Sequence, residues 1–368
     1  MKILHTNFHS GWGGQSNHIL ILCRGLAARG HKVVMAVPEG SELARRGSKT
    51  GLDVFTGVRF ERGLRSLWSD ARALRRLAKA RRFDVIHTHG SQDSWAAAAA
   101  LVGLAPRPLV MRTRHNIFPI RDHWANRWLW GRFTDSIACI SNAILEDCAA
   151  KPYLARERLT LIPSAVDADY YGGGQGARVR VELGLEGRYV AGITGRLREE
   201  KGHRYLLEAL PQVAAAAPDF ILLVVGAGSL EDALRAQAHA LGVADRVIFT
   251  GFRADIADVL AALDLFIMPS VSEGLGTAVI EAAAAGLPII ASDVGGIPDI
   301  ITHGIEGWLV APTQSSALAE AILRFYHDRA LARRCAEAAV AKVRKRFSIP
   351  ALVNGTEAFY AGRLERRR

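Results

Sequence analysis

The chain has 368 residues, of which 49% are hydrophobic and 23% charged, so it is long enough for two globular domains and lacks the composition of a disordered protein. Its four cysteines are scattered, which excludes the close spacing of a disulfide framework or a zinc site. The formal net charge of +11 suits nucleic acid, an anionic membrane, a polyanionic substrate or plain solubility. No helix-turn-helix, zinc-finger or RNP-type pattern accompanies the charge, so no nucleic-acid partner is predicted.

The N-terminal residues run directly into a strand-like pattern, without the charged, apolar and cleavage regions of a signal peptide. No stretch reaches the roughly 18 uninterrupted apolar residues that would span a bilayer. We therefore expect a cytoplasmic protein that is not integral to a membrane.

The first half of the chain alternates short apolar runs with helical patterns. A glycine-rich turn, Gly11–Gly14, follows the first strand. Apolar residues at helical spacing predict helices over 17–29 and 64–82. The predicted strands are Ile3–Thr6, His31–Val37, Asp84–His87, Leu109–Met111 and Ser136–Ile140.

The second half repeats this rhythm, with helices predicted over 204–214 and 230–240. Its predicted strands are Tyr189–Thr194, Ile221–Val225, Val247–Phe249, Leu265–Met268 and Pro288–Ala291. Strands separated by helices imply parallel sheets, so the fold class is α/β with two Rossmann-like domains. The flexible-looking stretch 170–176 suggests an acceptor-side domain over 1–170 and a donor domain over 171–346. A terminal helix and basic tail over 347–368 would pack toward the first domain.

The strongest local signal is the string 273–281, directly after the strand Leu265–Met268. Gly274 and Gly276 make a loop whose backbone can approach a ligand closely, and the following helix directs free N–H groups at that loop. Glu273 and Glu281 border the same pocket and suit hydroxyl groups. Either glutamate alone is better explained as solvated or as complementing the helix dipole, but the whole string indicates a site for a sugar diphosphate.

A second signal is the loop 195–202, which follows the strand Tyr189–Thr194. Arg196 can hold a phosphate through its planar fork and Lys201 as a point charge. A solvated charged loop is the plain alternative, but both loops lie at the same edge of one sheet. The pair could therefore neutralise a departing diphosphate without a metal.

Together these motifs resemble the GT-B-fold, retaining glycosyltransferases of family four, a group that includes many lipopolysaccharide and envelope-glycan enzymes. The resemblance covers essentially the whole chain. It includes the glycine loop Gly11–Gly14 and the late loops 295–298 and 304–309. Ser164 and Ala165 depart from the usual Asn-Gly before Val166, so that turn could be built differently. The resemblance implies two Rossmann-like domains facing across a cleft.

The resemblance also implies roles for residues of the second half. Arg196 and Lys201 would bind the donor diphosphate, Glu281 the ribose hydroxyls and Glu273 the transferred sugar. Backbone groups of the loop would help to bind the phosphates, namely Gly274, Leu275, Gly276 and Thr277.

In the first half, the resemblance implies that Gly13 and Gly14 bring backbone to the phosphates and that His115 lies beside the transferred sugar.

In the second half, Gly251 and Phe252 are weaker candidates for the base pocket. The implied chemistry is transfer with retention of configuration, in which the leaving phosphate accepts the acceptor's proton. It needs no protein nucleophile, cofactor or metal.

Two weaker metal or structural signals remain. Asp167-Ala168-Asp169 spells a short acidic motif that binds a metal in another glycosyltransferase fold, but the resemblance makes Asp167 a turn residue. His87 and His89 alternate at a strand end, where satisfied structural histidines are the better interpretation.

The segment Phe118–Phe133 mixes Trp124, Trp128 and Trp130 with several arginines. Such a mixture suits a surface that touches lipid headgroups, although tryptophans in the core and solvated arginines would explain it equally well. The first interpretation predicts a peripheral protein on the inner face of the cytoplasmic membrane, where an anionic surface presents a lipid-linked acceptor.

The leading hypothesis is therefore a glycosyltransferase that moves a sugar from a nucleotide-diphosphate sugar to a lipopolysaccharide-like or lipid-linked acceptor. A nucleotide-sugar epimerase or a phosphorylase on the same scaffold is an alternative. A non-catalytic, two-lobed sugar-binding protein is a third, although sugar binding alone gives no reason for a diphosphate clamp.

Overall fold

A computed structural model describes residues 1–366. The chain forms two compact units, the first from Met1–Ala165 with the C-terminal segment that begins at Ile349, and the second from Val166–Ser348. The predicted pattern of strands and helices is confirmed in both units. Three short strands that the sequence did not predict lie at Asp53–Phe55, Leu159–Leu161 and Trp308–Val310.

The first unit contains a seven-stranded parallel sheet in the order β3-β2-β1-β4-β5-β6-β7. Its central strands are buried on both faces, because helices cover the two sides of a parallel sheet. The strands are β1 Lys2–Thr6, β2 Lys32–Ala36, β3 Asp53–Phe55, β4 Val85–Thr88, β5 Leu109–Arg114, β6 Ser136–Cys139 and β7 Leu159–Leu161.

The second unit contains a six-stranded parallel sheet in the order β10-β9-β8-β11-β12-β13. Its strands are β8 Tyr189–Thr194, β9 Phe220–Val225, β10 Val247–Gly251, β11 Leu265–Met268, β12 Ile289–Ser292 and β13 Trp308–Val310. In both sheets the strand order reverses once, between β1 and β4 in the first and between β8 and β11 in the second.

Helices follow most strands. Those of the first unit's long segment are α1 Gly14–Ala28, α2 Glu42–Lys49, α3 Leu64–Arg81, α4 Ser91–Leu101, α5 Trp124–Asn126, which continues as a π-helix over Arg127–Phe133, and α6 Asn142–Ala149. Those of the second unit are α7 Ala168–Gly172, α8 Gly176–Glu182, α9 His203–Ala216, α10 Glu231–Ala240, α11 Ile256–Ala261, α12 Thr277–Ala284, α13 Ile297–Ile300, α14 Ser315–His327 and α15 Arg329–Arg346. The last helix of the chain is α16 Ile349–Glu365.

The two chain crossings lie at Ala165–Val166 and Ser348–Ile349, a few residues away from the predicted boundaries after 170 and 346. Hydrogen bonding explains the difference. Val166 forms a parallel bridge with Ser348, and its N–H donates to the carbonyl of Phe347 at 3.0 Å. Both ends of the second unit are therefore tied together inside that unit.

The glycine-rich stretch that looked flexible is packed, which corrects the sequence-based interpretation. It forms the end of α7 and the start of α8, which contact α11 and α12. A Cβ on Gly174 would lie 2.1 Å from the carbonyl oxygen of Ala257, and one on Gly176 would lie 2.2 Å from that of Ala261. These glycines permit close backbone packing instead of a hinge.

The last helix, α16, belongs to the first unit. Its Leu352, Val353 and Tyr360 are buried in the hydrophobic core of that unit. Gly25 of α1 allows the approach, because a Cβ there would lie 2.3 Å from a methyl group of Val353. The Tyr360 hydroxyl also bonds Nδ1 of His87 at 2.5 Å.

No helix within residues 1–366 is long and apolar enough to cross a bilayer. The four cysteines are buried free thiols, consistent with a spacing that fits neither a disulfide framework nor a zinc site.

Candidate active site

The loops that carry the strongest sequence signals meet at the carboxyl edge of the second sheet. Arg196 and Lys201 follow β8, and Glu273 follows β11, the neighbouring strand across the reversal of strand order. Such a reversal opens a crevice in which α/β proteins bind ligands.

Lys201 and Glu273 form an ion pair in which Nζ and Oε1 lie 2.5 Å apart. The hydroxyl of Ser270 donates to the same carboxylate oxygen at 2.9 Å. The side chains of the pair are only 19% and 10% exposed, so their attraction is stronger than between groups in bulk water. Two residues from separate sequence motifs are therefore adjacent, while Ser270 was not among the predicted site residues.

A glycine fixes the turn that presents Lys201. The residues Glu199–Lys201 form one 3₁₀ turn, and Gly202 follows in a left-handed conformation with φ of 68°. A Cβ on Gly202 would lie 1.9 Å from the carbonyl oxygen of Pro269. Only glycine therefore lets the loop after β8 lie directly on the loop after β11.

Other loops at this edge are held by the same device. A Cβ on Gly295 would lie 1.7 Å from the carbonyl oxygen of Glu273, and one on Gly226 would lie 1.8 Å from that of Gly195. The N–H of Leu197 donates to the carbonyl of Ala227 at 3.2 Å. The short glycine motif after β9, Gly226–Gly228, is therefore a tight turn against the Arg196 loop.

The helix α12 begins beside this ion pair. Gly276 precedes it in a left-handed conformation with φ of 93°, and its first turn contains no acidic residue. Leu275 is buried, whereas Gly274 and Thr277 are partly exposed. The first N–H groups of the helix therefore keep their positive potential for a ligand.

Glu281 lies on α12, where burial raises the pKa of its carboxyl to about 7. A hydrogen bond from the Tyr171 hydroxyl and the charge of Lys201 act in the opposite direction. Burial, followed by the charge of Glu281, raises the pKa of Tyr171. The sequence offered no signal for Tyr171, which precedes the glycines that had been interpreted as a linker.

Three predicted residues of this unit stand apart from the ion pair. Arg196 is exposed, and its side chain forms no ion pair within residues 1–366. Gly251 ends β10 with φ of 67°, and the following Phe252 is 76% exposed. No hydrogen bond in the described part of the chain joins Gly251 or Phe252 to Lys201 or Glu273.

In the first unit, Gly13 and Gly14 lie where the glycine loop enters α1. Gly13 precedes the helix with an extended backbone, and a Cβ there would meet nothing within 4 Å. The space beside this helix start is therefore open, and no acidic residue occupies its first turn.

His115 follows β5 and belongs to a cluster of histidines that the sequence did not reveal. Its Nε2 lies 2.9 Å from Nδ1 of His89, whose Nε2 lies 3.0 Å from Nδ1 of His5. Burial lowers the pKa of His5 to about 3 and that of His18 to about 4, and lowers the pKa of His115 well below its usual value. The cluster is therefore uncharged at neutral pH.

The signal that could have revealed this cluster is positional. His5, His89 and His115 lie at or just after the ends of β1, β4 and β5. These strands are neighbours in the sheet. Their order was not evident from the sequence, so the histidines could not be brought together in advance.

The short acidic motif is used for structure. The carboxylate of Asp167 accepts a hydrogen bond from the N–H of Tyr170 at 3.1 Å and so begins α7. Asp169 pairs with Arg344 at 3.0 Å. This motif therefore shapes a turn, as the resemblance implied for Asp167.

Comparisons with known proteins agree with this architecture. The family model described as "Glycosyl transferases group 1" matches residues 178–342. The model described as "Glycosyltransferase Family 4" matches residues 12–170. The two models therefore include every strand of both sheets except β1.

Among relatives, the chain is 33% identical to a 2-deoxystreptamine glucosyltransferase of Streptomyces kanamyceticus, over 72% of this chain and 74% of the relative. It is 28% identical to the UDP-Gal:alpha-D-GlcNAc-diphosphoundecaprenol alpha-1,3-galactosyltransferase of Escherichia coli, over 70% of each chain. The crystal structure of Anabaena HepE in complex with UDP-glucose has the same fold, with a TM-score of 0.84 at 23% identity. That match covers 98% of this chain and 100% of HepE. The chain therefore belongs to the family-four glycosyltransferases and is built from two Rossmann-like units of the GT-B type.

Proposed function

We propose that this glycosyltransferase moves a sugar from a nucleotide-diphosphate sugar to a hydroxyl of a lipid-linked or cell-envelope glycan acceptor. The observation that carries the donor assignment is the Lys201–Glu273 pair beside the start of α12. A cation and free N–H groups suit a diphosphate, whereas a carboxylate suits sugar hydroxyls. The UDP-glucose complex of HepE supports this donor class.

Each predicted site residue of the second unit then has a role. Arg196 and Lys201 neutralise the diphosphate, with the N–H groups of residues 275–277. Glu273 binds hydroxyls of the transferred sugar. Glu281, positioned by Tyr171, binds the ribose hydroxyls. Gly251 ends β10, the edge strand that β9 separates from β8. Together with the following Phe252 it would line the base pocket.

The reaction breaks the bond between the anomeric carbon and the diphosphate oxygen, and forms a bond from the same face of the sugar to the acceptor oxygen. The acceptor's proton passes to an oxygen of the leaving diphosphate. Positive groups stabilise the charge that develops on the leaving group. This mechanism retains configuration and requires no metal, and in the first unit Gly13, Gly14 and His115 would take part in it.

A thermal-shift panel tests the donor assignment. UDP, GDP, ADP and CMP are compared on the wild type, on Lys201→Ala and on Lys345→Ala, which removes an exposed lysine from the end of α15. A ligand at 100 times its dissociation constant stabilises a protein by about 2.7 kcal/mol. We expect one nucleoside diphosphate to stabilise the wild type and Lys345→Ala but not Lys201→Ala. A folded wild type that responds to no nucleotide would contradict the donor site.

The acceptor assignment rests on a second surface. Phe118 and Trp124 are 71% and 82% exposed in a segment that also contains the exposed Arg121. Trp130 is buried instead, with the Arg112 guanidinium 3.7 Å above its ring. The segment is thus partly core and partly an aromatic, basic surface of the kind that binds anionic lipid headgroups. The diphosphoundecaprenol acceptor named for the Escherichia coli relative supports a lipid-linked substrate.

Flotation with phosphatidylglycerol vesicles tests this peripheral membrane contact. We expect binding at low salt that is lost in Phe118→Ala/Trp124→Ala and kept in Val181→Ala, which removes an exposed apolar side chain of the second unit. Absence of wild-type binding at low salt would contradict the membrane contact. It would favour an acceptor without a lipid, such as the 2-deoxystreptamine in the name of the Streptomyces relative.

A further inference from the structure

Five histidines of the first unit lie together at the carboxyl edge of its sheet. They come from β1, α1, β4, the residue after β4 and the residue after β5, namely His5, His18, His87, His89 and His115. The strand order reverses between β1 and β4, so the cluster lies where an α/β sheet opens a crevice for ligands.

We infer that His18, His89 and His115 form a binding site for a divalent transition-metal ion of the zinc class. One nitrogen from each ring lies within 4.8 Å of the other two. Imidazole nitrogens suit zinc, nickel and copper, and three protein ligands leave one position of a tetrahedral ion open. His115 is only half-buried, so solvent reaches at least this member of the group.

The outer partners of these rings match a metal site. Nδ1 of His18 lies 3.0 Å from the hydroxyl of Ser164, which leaves Nε2 to act as the ligand. Nε2 of His89 lies 3.0 Å from Nδ1 of His5, and its Nδ1 lies 2.9 Å from Nε2 of His115. Without an ion these last two nitrogens share a hydrogen bond, and an ion bound by both rings would replace it. Metal-binding histidines are characteristically held through their second nitrogen in this way, because the outer bond fixes the tautomer and the ring plane.

The other half of the cluster is less suitable. His5, His87 and His89 also approach one another. However, both nitrogens of His87 already have partners, the Tyr360 hydroxyl at 2.5 Å and the Thr113 hydroxyl at 2.7 Å. A metal at this group would have to displace bonds that join the sheet to α16. In the His18–His89–His115 group, the bond that an ion would displace instead joins two of its own ligands, His89 and His115, so the bonds to α16 are kept.

A bound ion would have a consequence that rests on the proposed function, in which His115 takes part in sugar transfer. Coordination fixes the His115 ring and occupies its nitrogen, so the ion would inhibit transfer. A chelator would reverse this inhibition.

Binding of Co²⁺ to the untagged, chelator-treated full chain tests the site without any sugar nucleotide. We expect one Co²⁺ per chain by isothermal titration calorimetry, with the visible absorption of a four-coordinate ion that Zn²⁺ displaces. His18→Ala and His115→Ala should bind at least tenfold more weakly. Ser164→Ala keeps all three ligands and should weaken binding by about 10-fold or more through the loss of the outer bond.

His123→Ala is the matched control, because it removes an exposed histidine of the same unit and should bind Co²⁺ as the wild type does. Far-ultraviolet circular dichroism establishes that each variant is folded. Absence of stoichiometric binding, or equal binding by folded His18→Ala and His115→Ala, would overturn the site. A chain that binds Co²⁺ in this way but transfers no sugar would contradict the proposed function alone.

Discussion

At the scale of single residues, Glu281 carries a carboxyl group that is buried in the unliganded protein, where its charged form is unfavourable. Burial raises its pKa from 4.5 to about 7. The folded protein therefore holds a proton that the unfolded chain has released between these values. The contribution of Glu281 to stability is complete below pH 4.5 and is lost as the pH rises through 7.

We predict that Glu281→Gln stabilises the unliganded protein at pH 8 by about 1–3 kcal/mol and leaves its stability at pH 5 nearly unchanged. Glutamine resembles the protonated carboxyl and can still accept a hydrogen bond from Tyr171. Urea unfolding at both pH values measures the effect. Equal free energies of unfolding for variant and wild type at pH 8 would contradict it. Nucleotide binding should weaken, because the amide is a poorer acceptor for ribose hydroxyls.

The Lys201–Glu273 pair is a second case at this scale. We predict that Lys201→Met lowers the free energy of unfolding by about 1–3 kcal/mol, because Glu273 would stay mostly buried without its cation. The double variant Lys201→Met/Glu273→Gln should lose less than the sum of the two single variants. A double-mutant cycle by urea denaturation measures this coupling. Strict additivity would mean that the pair contributes nothing to the folded state.

At the scale of elements, glycines decide how closely neighbouring loops can approach. Gly226 has φ of 141° and leaves room for the carbonyl oxygen of Gly195, which a Cβ would approach to 1.8 Å. Gly242 has φ of 69° but lies in open space. A side chain at Gly242 would therefore meet backbone strain alone, whereas one at Gly226 would meet a steric clash as well.

We predict that Gly242→Ala costs about 1–2 kcal/mol, the usual penalty of a left-handed residue with a side chain. Gly226→Ala should cost more, because the loop that carries Arg196 must also move. The difference should appear as a lower midpoint of thermal unfolding and as a loss of nucleotide binding specific to Gly226→Ala. Similar losses of stability in the two variants would contradict the steric explanation.

The strands and the loops that follow them were largely predictable from the sequence, whereas several packing contacts were not. Strands such as β8 and β11 are continuous apolar runs, so they and the loops that follow them were evident. Tyr171 was missed because it acts on Glu281, which is distant in the sequence. Ser270 was missed because serine is common in loops and carries no signal of its own. The glycines of α7 and α8 were misread, because composition alone does not distinguish a hinge from a close helix packing.

At the scale of the whole molecule, the first unit is discontinuous in sequence and the second is continuous. The two-domain α/β architecture followed from the alternation of strands and helices. The order of strands in each sheet did not, because it depends on which crossover connection runs to which side. The histidine cluster is a product of that order, and therefore no local pattern predicted it.

We predict that a fragment 166–348 folds alone and unfolds cooperatively, because its core is closed by its own residues. A fragment 1–165 should lack a cooperative transition, because the core positions of Leu352, Val353 and Tyr360 would be empty. Thermal unfolding followed by circular dichroism measures both. A fragment in which 349–366 is joined to 1–165 by a flexible linker serves as the control and should regain cooperativity. A cooperative transition of 1–165 alone would contradict the prediction.

The place of α16 has a consequence for the order of events during synthesis. A ribosome releases the N-terminal segment first, yet that segment cannot complete its core until the final helix has left the exit tunnel. All residues of the second unit are synthesised earlier, so this unit can fold before the first unit has its last helix. We therefore expect the half of this chain that is translated first to reach its native structure last.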